Sequence, residues 1–115
     1  MNSLVGLKCE ACQASSPMLT DAEIAEYKPL VPDWCVGKRN DIRSLERAFK
    51  FSNFAEAMRF SAKVGEIAES AGHHPAILIE WGRVTLTRWT HKIKGLHRND
   101  FIMAAKTDEL YVTRG

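Results

Sequence analysis

Two adjacent histidines followed by a proline, His73-His74-Pro75, are the first residues in this chain with types and spacing suited to chemistry. Imidazole has an ordinary pKa of about 6.5, so near neutrality it can either give or take a proton. Pro75 fixes its own φ and restricts His74, so the two rings hang from a stiffened segment. A third histidine, His91, is expected to end the final strand, where an α+β sheet commonly opens onto a pocket. Asp100 lies just beyond, in the first turn of a helix, near enough in sequence to face the same opening. Imidazoles with a carboxylate suit general acid–base transfer. The same set could instead act as zinc ligands, although adjacent histidines on an extended chain point apart and coordinate one ion awkwardly. A histidine pair after a helix also occurs as an ordinary polar loop, so the surrounding elements have to decide.

Those elements can be read in order. Thr20 resembles an N-cap, with Glu23 completing a capping box, and a short helix from Asp21 to Tyr27 follows. Pro29 and Pro32 close it off. Trp34 to Arg39 reads as a strand, Asn40-Asp41 as a two-residue turn, and Ile42 to Phe51 as the returning strand. Leu45, Phe49 and Phe51 share one face of it, with Arg47 breaking the alternation. Asn53 caps the next helix with Glu56 in its first turn, and Gly72 is placed to stop it. Along that helix Phe54, Ala57, Met58, Ser61, Val64, Ala68 and Ala71 form a stripe suited to either core or a subunit interface.

A second hairpin follows, from Ile77 to Trp81, through a turn at Gly82-Arg83, and back along Val84 to His91. Val84 and Leu86 fall on one face of its second arm, and Thr85, Thr87, Trp89 and His91 on the other. Gly95 ends that segment. A last helix starts near His97 to Asp100 and runs through Phe101, Ala104, Ala105 and Leu110. The order is α-β-β-α-β-β-α. It predicts an α+β fold, a four-stranded antiparallel sheet with helices packed on one face.

Composition bounds the function. A chain of 115 residues, 45% hydrophobic and 26% charged, fits one soluble domain. Its net charge of +2 gives no reason to expect direct nucleic-acid binding. No apolar run nears the ~20 residues of a membrane span, and Met1 to Ser16 lacks the pattern of a secretory signal. A cytoplasmic protein is expected. Residues 1–17 read as a flexible tail and 18–115 as the single domain. Three cysteines, Cys9, Cys12 and Cys35, argue against a disulfide framework, and Cys9-x-x-Cys12 lacks the second pair of a structural zinc site.

The spaced set Glu69, His73-His74-Pro75, Trp81, His91 and Asp100 resembles the signature of the pterin-4a-carbinolamine dehydratases. Trp89-Thr90-His91 and Gly95-Leu96 fit the same pattern, and the resemblance runs from Thr20 to Tyr111. The Cys9-Glu10-Ala11-Cys12 segment looks like that of bacterial members linked to phenylalanine hydroxylase. The resemblance implies dehydration of a 4a-hydroxytetrahydropterin to a quinonoid dihydropterin and water, with no metal and no cofactor. It assigns proton transfer to His73 and His91, pterin holding to His74 and Pro75, and an orienting or electrostatic role to Asp100. Thr90, His91, Lys92 and Ile93 match the second stretch lining the pterin, with Glu69 and Trp81 as further candidates. It also implies a homo-oligomer, a tetramer or a dimer. The alternative it carries is a non-catalytic dimerisation or coactivator-type protein that regulates expression of the hydroxylase.

Overall fold

The structure, a computed structural model, describes residues 4–6 and 18–113. Cys9 and Cys12 therefore lie outside the described residues, as does most of the expected tail; Leu4, within them, is buried in the core. The elements run α1 (Asp21–Tyr27), a 3-10 turn (Lys28–Leu30), β1 (Cys35–Arg39), β2 (Ile42–Lys50), α2 (Phe54–Ala71), β3 (Ala76–Glu80), β4 (Arg83–Arg88) and α3 (Arg98–Val112). Local chemistry explains most of the boundaries. Thr20 and Glu23 form the reciprocal capping box. Asn40 and Asp41 both take positive φ, 52° and 65°, as a tight hairpin between right-twisted strands requires. Asn53 Oδ1 accepts the backbone N–H of Glu56 at 2.9 Å.

The sheet is antiparallel in the order β1-β2-β4-β3. Both hairpins are sequence-adjacent pairs, and the two inner strands join them. α2 packs on β3 and β4, and α3 on β2 and α2, so one sheet face is covered. Register fixes which side chains point there. Leu45 lies opposite Arg88, Arg47 opposite Leu86 and Phe49 opposite Val84. Directly opposed residues share a face, so these six project together. Leu45, Phe49, Val84 and Leu86 of this set form the core with Trp34, Phe60, Val64, Phe101, Ile102 and Ala105.

Arg47, which interrupts the apolar alternation, keeps its inward register. Its guanidinium lies 4.3 Å from the Phe49 ring centroid and donates to Asp108 of α3 at 2.6 Å. Trp34 Nε1 donates to the same carboxylate oxygen at 2.7 Å. Burial pushes the Asp108 pKa up, and these two hydrogen bonds hold it back. An arginine tolerates a core-facing position because its stem packs while its head finds a charged partner.

One expectation needs correction: the second arm of the second hairpin stops at Arg88 and does not continue as strand to His91. The α2 stripe, suited to either core or interface, is resolved by the burial of its members. Ala57, Ser61, Val64 and Ala68 are buried within the monomer, whereas Phe54 and Met58 are exposed. The stripe therefore divides: its small and β-branched residues face the sheet, where close packing is needed, and its two bulky members look outward.

Candidate active site

Three backbone devices converge on one point. The first is the C-terminus of α2. Gly72 adopts φ 66°, the left-handed conformation open to a residue without a Cβ. Its N–H bonds to Glu69 O at 3.2 Å, and the next N–H, that of His73, bonds to Ala68 O at 3.1 Å. This doubly bonded helix end fixes the backbone of His73. Pro75 then stiffens the step into β3.

The second device follows β4. Thr90 and Gly95 form an isolated antiparallel bridge, with Thr90 N–H to Gly95 O at 2.8 Å. It closes a four-residue loop, His91 to Lys94, in which Lys94 takes φ 52°. Thr90 points inward and is buried; His91 and Lys92 are exposed and Ile93 half-buried. The His91 ring stacks on Trp89, centroids 4.7 Å apart and planes 6° apart.

The third device is the start of α3. His97 occupies the N-cap position, and its Nδ1 accepts the Asn99 N–H at 3.1 Å. Asp100 reaches back to accept the His97 N–H through Oδ2 at 3.0 Å. A carboxylate here also lies in the field of the helix N-terminus.

The side chains from these devices make a connected network. Thr90 Oγ1 donates to Asp100 Oδ2 at 2.7 Å, and His73 Nε2 lies 3.0 Å from Thr90 Oγ1. His73 Nε2 is also 3.4 Å from Asp100 Oδ1. Asp100 is fully buried and His73 only 8% exposed. Burial therefore governs the protonation of both. It raises the Asp100 pKa from 3.8 to about 6, against the hydrogen bonds from His97 and Thr90 and the charge of Arg88. It lowers His73 from 6.5 to about 4, helped first by Arg88 and then by His97, His91 and His74. At neutral pH the centre holds an uncharged imidazole beside an ionised carboxylate. His74, by contrast, is exposed and pairs with Glu69 through Nε2 at 2.7 Å.

The structure thus gathers His73, His74, His91, Thr90 and Asp100, with Pro75 and Glu69 at the edge. Trp81 stands apart, 70% exposed in the β3–β4 turn at the far end of β3 from His73. The trio of ligands that a zinc site would need is not assembled among the described residues. Two neighbours carry no mark in the histidine spacing. Arg88 continues the inward alternation of Val84 and Leu86, and that periodicity was the available signal. His97 is a buried fourth histidine whose place three residues before Asp100 marks it as the cap.

Comparison with known proteins places the chain among relatives. The family model described as pterin 4 alpha carbinolamine dehydratase matches residues 17–110. A Nitrosococcus oceani protein, provisionally named a pterin-4-alpha-carbinolamine dehydratase, is 57% identical over 110 residues, covering 96% of this chain and 97% of its own. A Brucella melitensis crystal structure described as a transcriptional coactivator/pterin dehydratase superposes with a TM-score of 0.74 at 30% identity, covering 83% of this chain and 99% of that one. A pterin dehydratase-like protein described as a RuBisCO assembly factor in the alpha-carboxysome shares the fold at a TM-score of 0.59 and 21% identity, covering 69% of this chain and 89% of that one. With a family model spanning most of its length and a relative more than half identical, the chain belongs to the pterin 4 alpha carbinolamine dehydratase family.

Proposed function

We propose that this protein dehydrates a 4a-hydroxytetrahydropterin, the spent form of an aromatic amino acid hydroxylase cofactor, to a quinonoid dihydropterin and water. The observation that carries the reading is the buried His73, 3.0 Å from Thr90 and 3.4 Å from the buried Asp100 and close to three further histidines. The lone pair of the substrate's N5 expels the 4a-hydroxyl, forming the C4a–N5 double bond. His91, exposed and able to recover protons from water, supplies the proton that makes the leaving group water. His73, neutral because burial disfavours its cation, takes the proton from N5. Electrons and protons balance with no oxidant, which leaves nothing for a redox cofactor to do. His74 and Pro75, with the backbone of Thr90 and with Lys92 and Ile93, hold the bicyclic head, and Glu69 orients His74 through its 2.7 Å contact.

Stopped-flow measurement of carbinolamine breakdown, with and without the protein, tests this directly. Acceleration above the uncatalysed rate is expected; an unchanged rate would remove the catalytic reading. A second reading is favoured by the Brucella relative's description as a transcriptional coactivator. On it the chain binds a regulatory partner, with a functional link to phenylalanine hydroxylase through control of its expression. The exposed Phe54, Met58, Ile77 and Leu78 offer apolar surface for such contact, or for assembly into a homotetramer or dimer. Among the described residues no helix is long and apolar enough to cross a membrane, and a cytoplasmic site suits either reading.

A further inference from the structure

We infer that Thr90 is a positioning residue that fixes the tautomer of His73, placing its proton on Nε2 and leaving Nδ1 as the basic nitrogen of the ring. A threonine hydroxyl has a single hydrogen to donate and lone pairs to accept with. Its 2.7 Å contact with Asp100 Oδ2 must use that hydrogen, because an ionised carboxylate can only accept. The backbone N–H of His97 already donates to the same oxygen, which holds the carboxylate still. Thr90 Oγ1 is then left to accept, and the group facing it at 3.0 Å is His73 Nε2. Nε2 must carry the proton.

The other ring nitrogen points the same way. Among the described residues Nδ1 of His73 has no hydrogen-bond partner, although the atom is buried and the residue only 8% exposed. A buried N–H without an acceptor would be costly, so the bare lone pair is the form this site tolerates better. Asp100 therefore acts through Thr90. It is fully buried and engaged by two donors, and so is itself a positioning residue. The 3.4 Å separation of His73 Nε2 from Asp100 Oδ1 is too long to replace the hydroxyl at full strength.

The kinetic consequence of this tautomer rests on the dehydratase reading, but the tautomer itself does not, and it is measured without any pterin. The experiment is nitrogen-15 NMR of the folded protein labelled at histidine, with His73 assigned by loss of its signals in His73→Gln. The wild-type protein should show Nε2 protonated and Nδ1 bare at pH 7, and Thr90→Ser should keep that pattern. Thr90→Val should lose the preference. Thr90→Ala removes the same hydroxyl with a smaller side chain and should lose the preference too; it decides the matter if Thr90→Val fails to fold. In turnover, Thr90→Val should lower kcat about 10- to 100-fold with KM nearly unchanged, and Thr90→Ser should restore most of it. A proton on Nδ1 in the wild type, or an unaltered tautomer in a folded Thr90→Val or Thr90→Ala protein, would overturn the inference. The stated tautomer in a protein that fails to accelerate carbinolamine breakdown would refute the dehydratase reading and leave the Thr90 assignment standing.

Discussion

At the scale of single residues, burial acts on two neighbouring groups with opposite results. His73 has a folded pKa of about 4 against an ordinary 6.5, so between those values the unfolded chain binds more protons and stability rises with pH. Asp100 has a folded pKa of about 6 against 3.8, so over that interval the folded chain binds more protons and stability falls with pH. The slopes oppose each other where the windows overlap. Removing one group should therefore unmask the other: urea midpoints of Asp100→Asn should climb more steeply from pH 4 to 6.5 than those of wild type, and those of His73→Gln should decline from pH 4 to 6. Parallel profiles for all three proteins would show that neither shift is real. The histidines should also divide by kinetic role. His73→Ala and His91→Ala should lower kcat by about 10²-fold, the low end of general acid–base effects, whereas His74→Ala should chiefly raise KM. Equal collapse of kcat in all three variants, with KM constant, would refute that division.

At the scale of elements, the site depends on how α2, β4 and α3 end or begin more than on their interiors. The α2 C-terminus is the most exacting, since Gly72 holds φ 66° while its N–H and that of His73 satisfy the last carbonyls. An L side chain in this conformation costs about 1–2 kcal/mol. Gly72→Ala should lower unfolding free energy in urea by roughly that amount. It should also lower turnover, because His73 is the next residue; full activity at reduced stability would show that the helix end is not what aims the imidazole. The end of β4 works differently. Although the strand stops at Arg88, Thr90 keeps the inward face of Val84, Leu86 and Arg88 and His91 the outer one, held beyond the ladder by the Thr90–Gly95 bridge and its loop.

For the whole molecule, α2 has two faces with separate duties. Val64 is fully buried against the sheet, so Val64→Glu should unfold the protein, an unpaired charge in a core being strongly unfavourable. Met58 is 45% exposed, and on the proposal that the protein assembles through this helix its burial occurs between copies. Met58→Glu should then keep its circular dichroism while light scattering reports smaller particles. A folded Met58→Glu variant with unchanged particle size would move the interface away from α2.

Much of this architecture was already written in local residue choices. Thr20 with Glu23, Asn40-Asp41, Asn53 with Glu56, and Gly72 each specify a cap or turn through their own hydrogen bonds or permitted φ, and each stands at the cap or turn that its type predicts. The strand alternation placed Val84 and Leu86 inside, and the spacing of His73, His74, His91 and Asp100 marked the residues that the tertiary structure gathers. What only the folded chain decided involves partners remote in sequence. Whether Arg47 belonged inside depended on Asp108, 61 residues away across a helix. Which half of the α2 stripe faced the sheet depended on packing against β3 and β4. The path from Asp100 through Thr90 to His73 joins three elements, and its direction follows from which atoms have hydrogens to give. Burial sets their protonation. It is a property of the assembled core, which no spacing of residues along a chain contains.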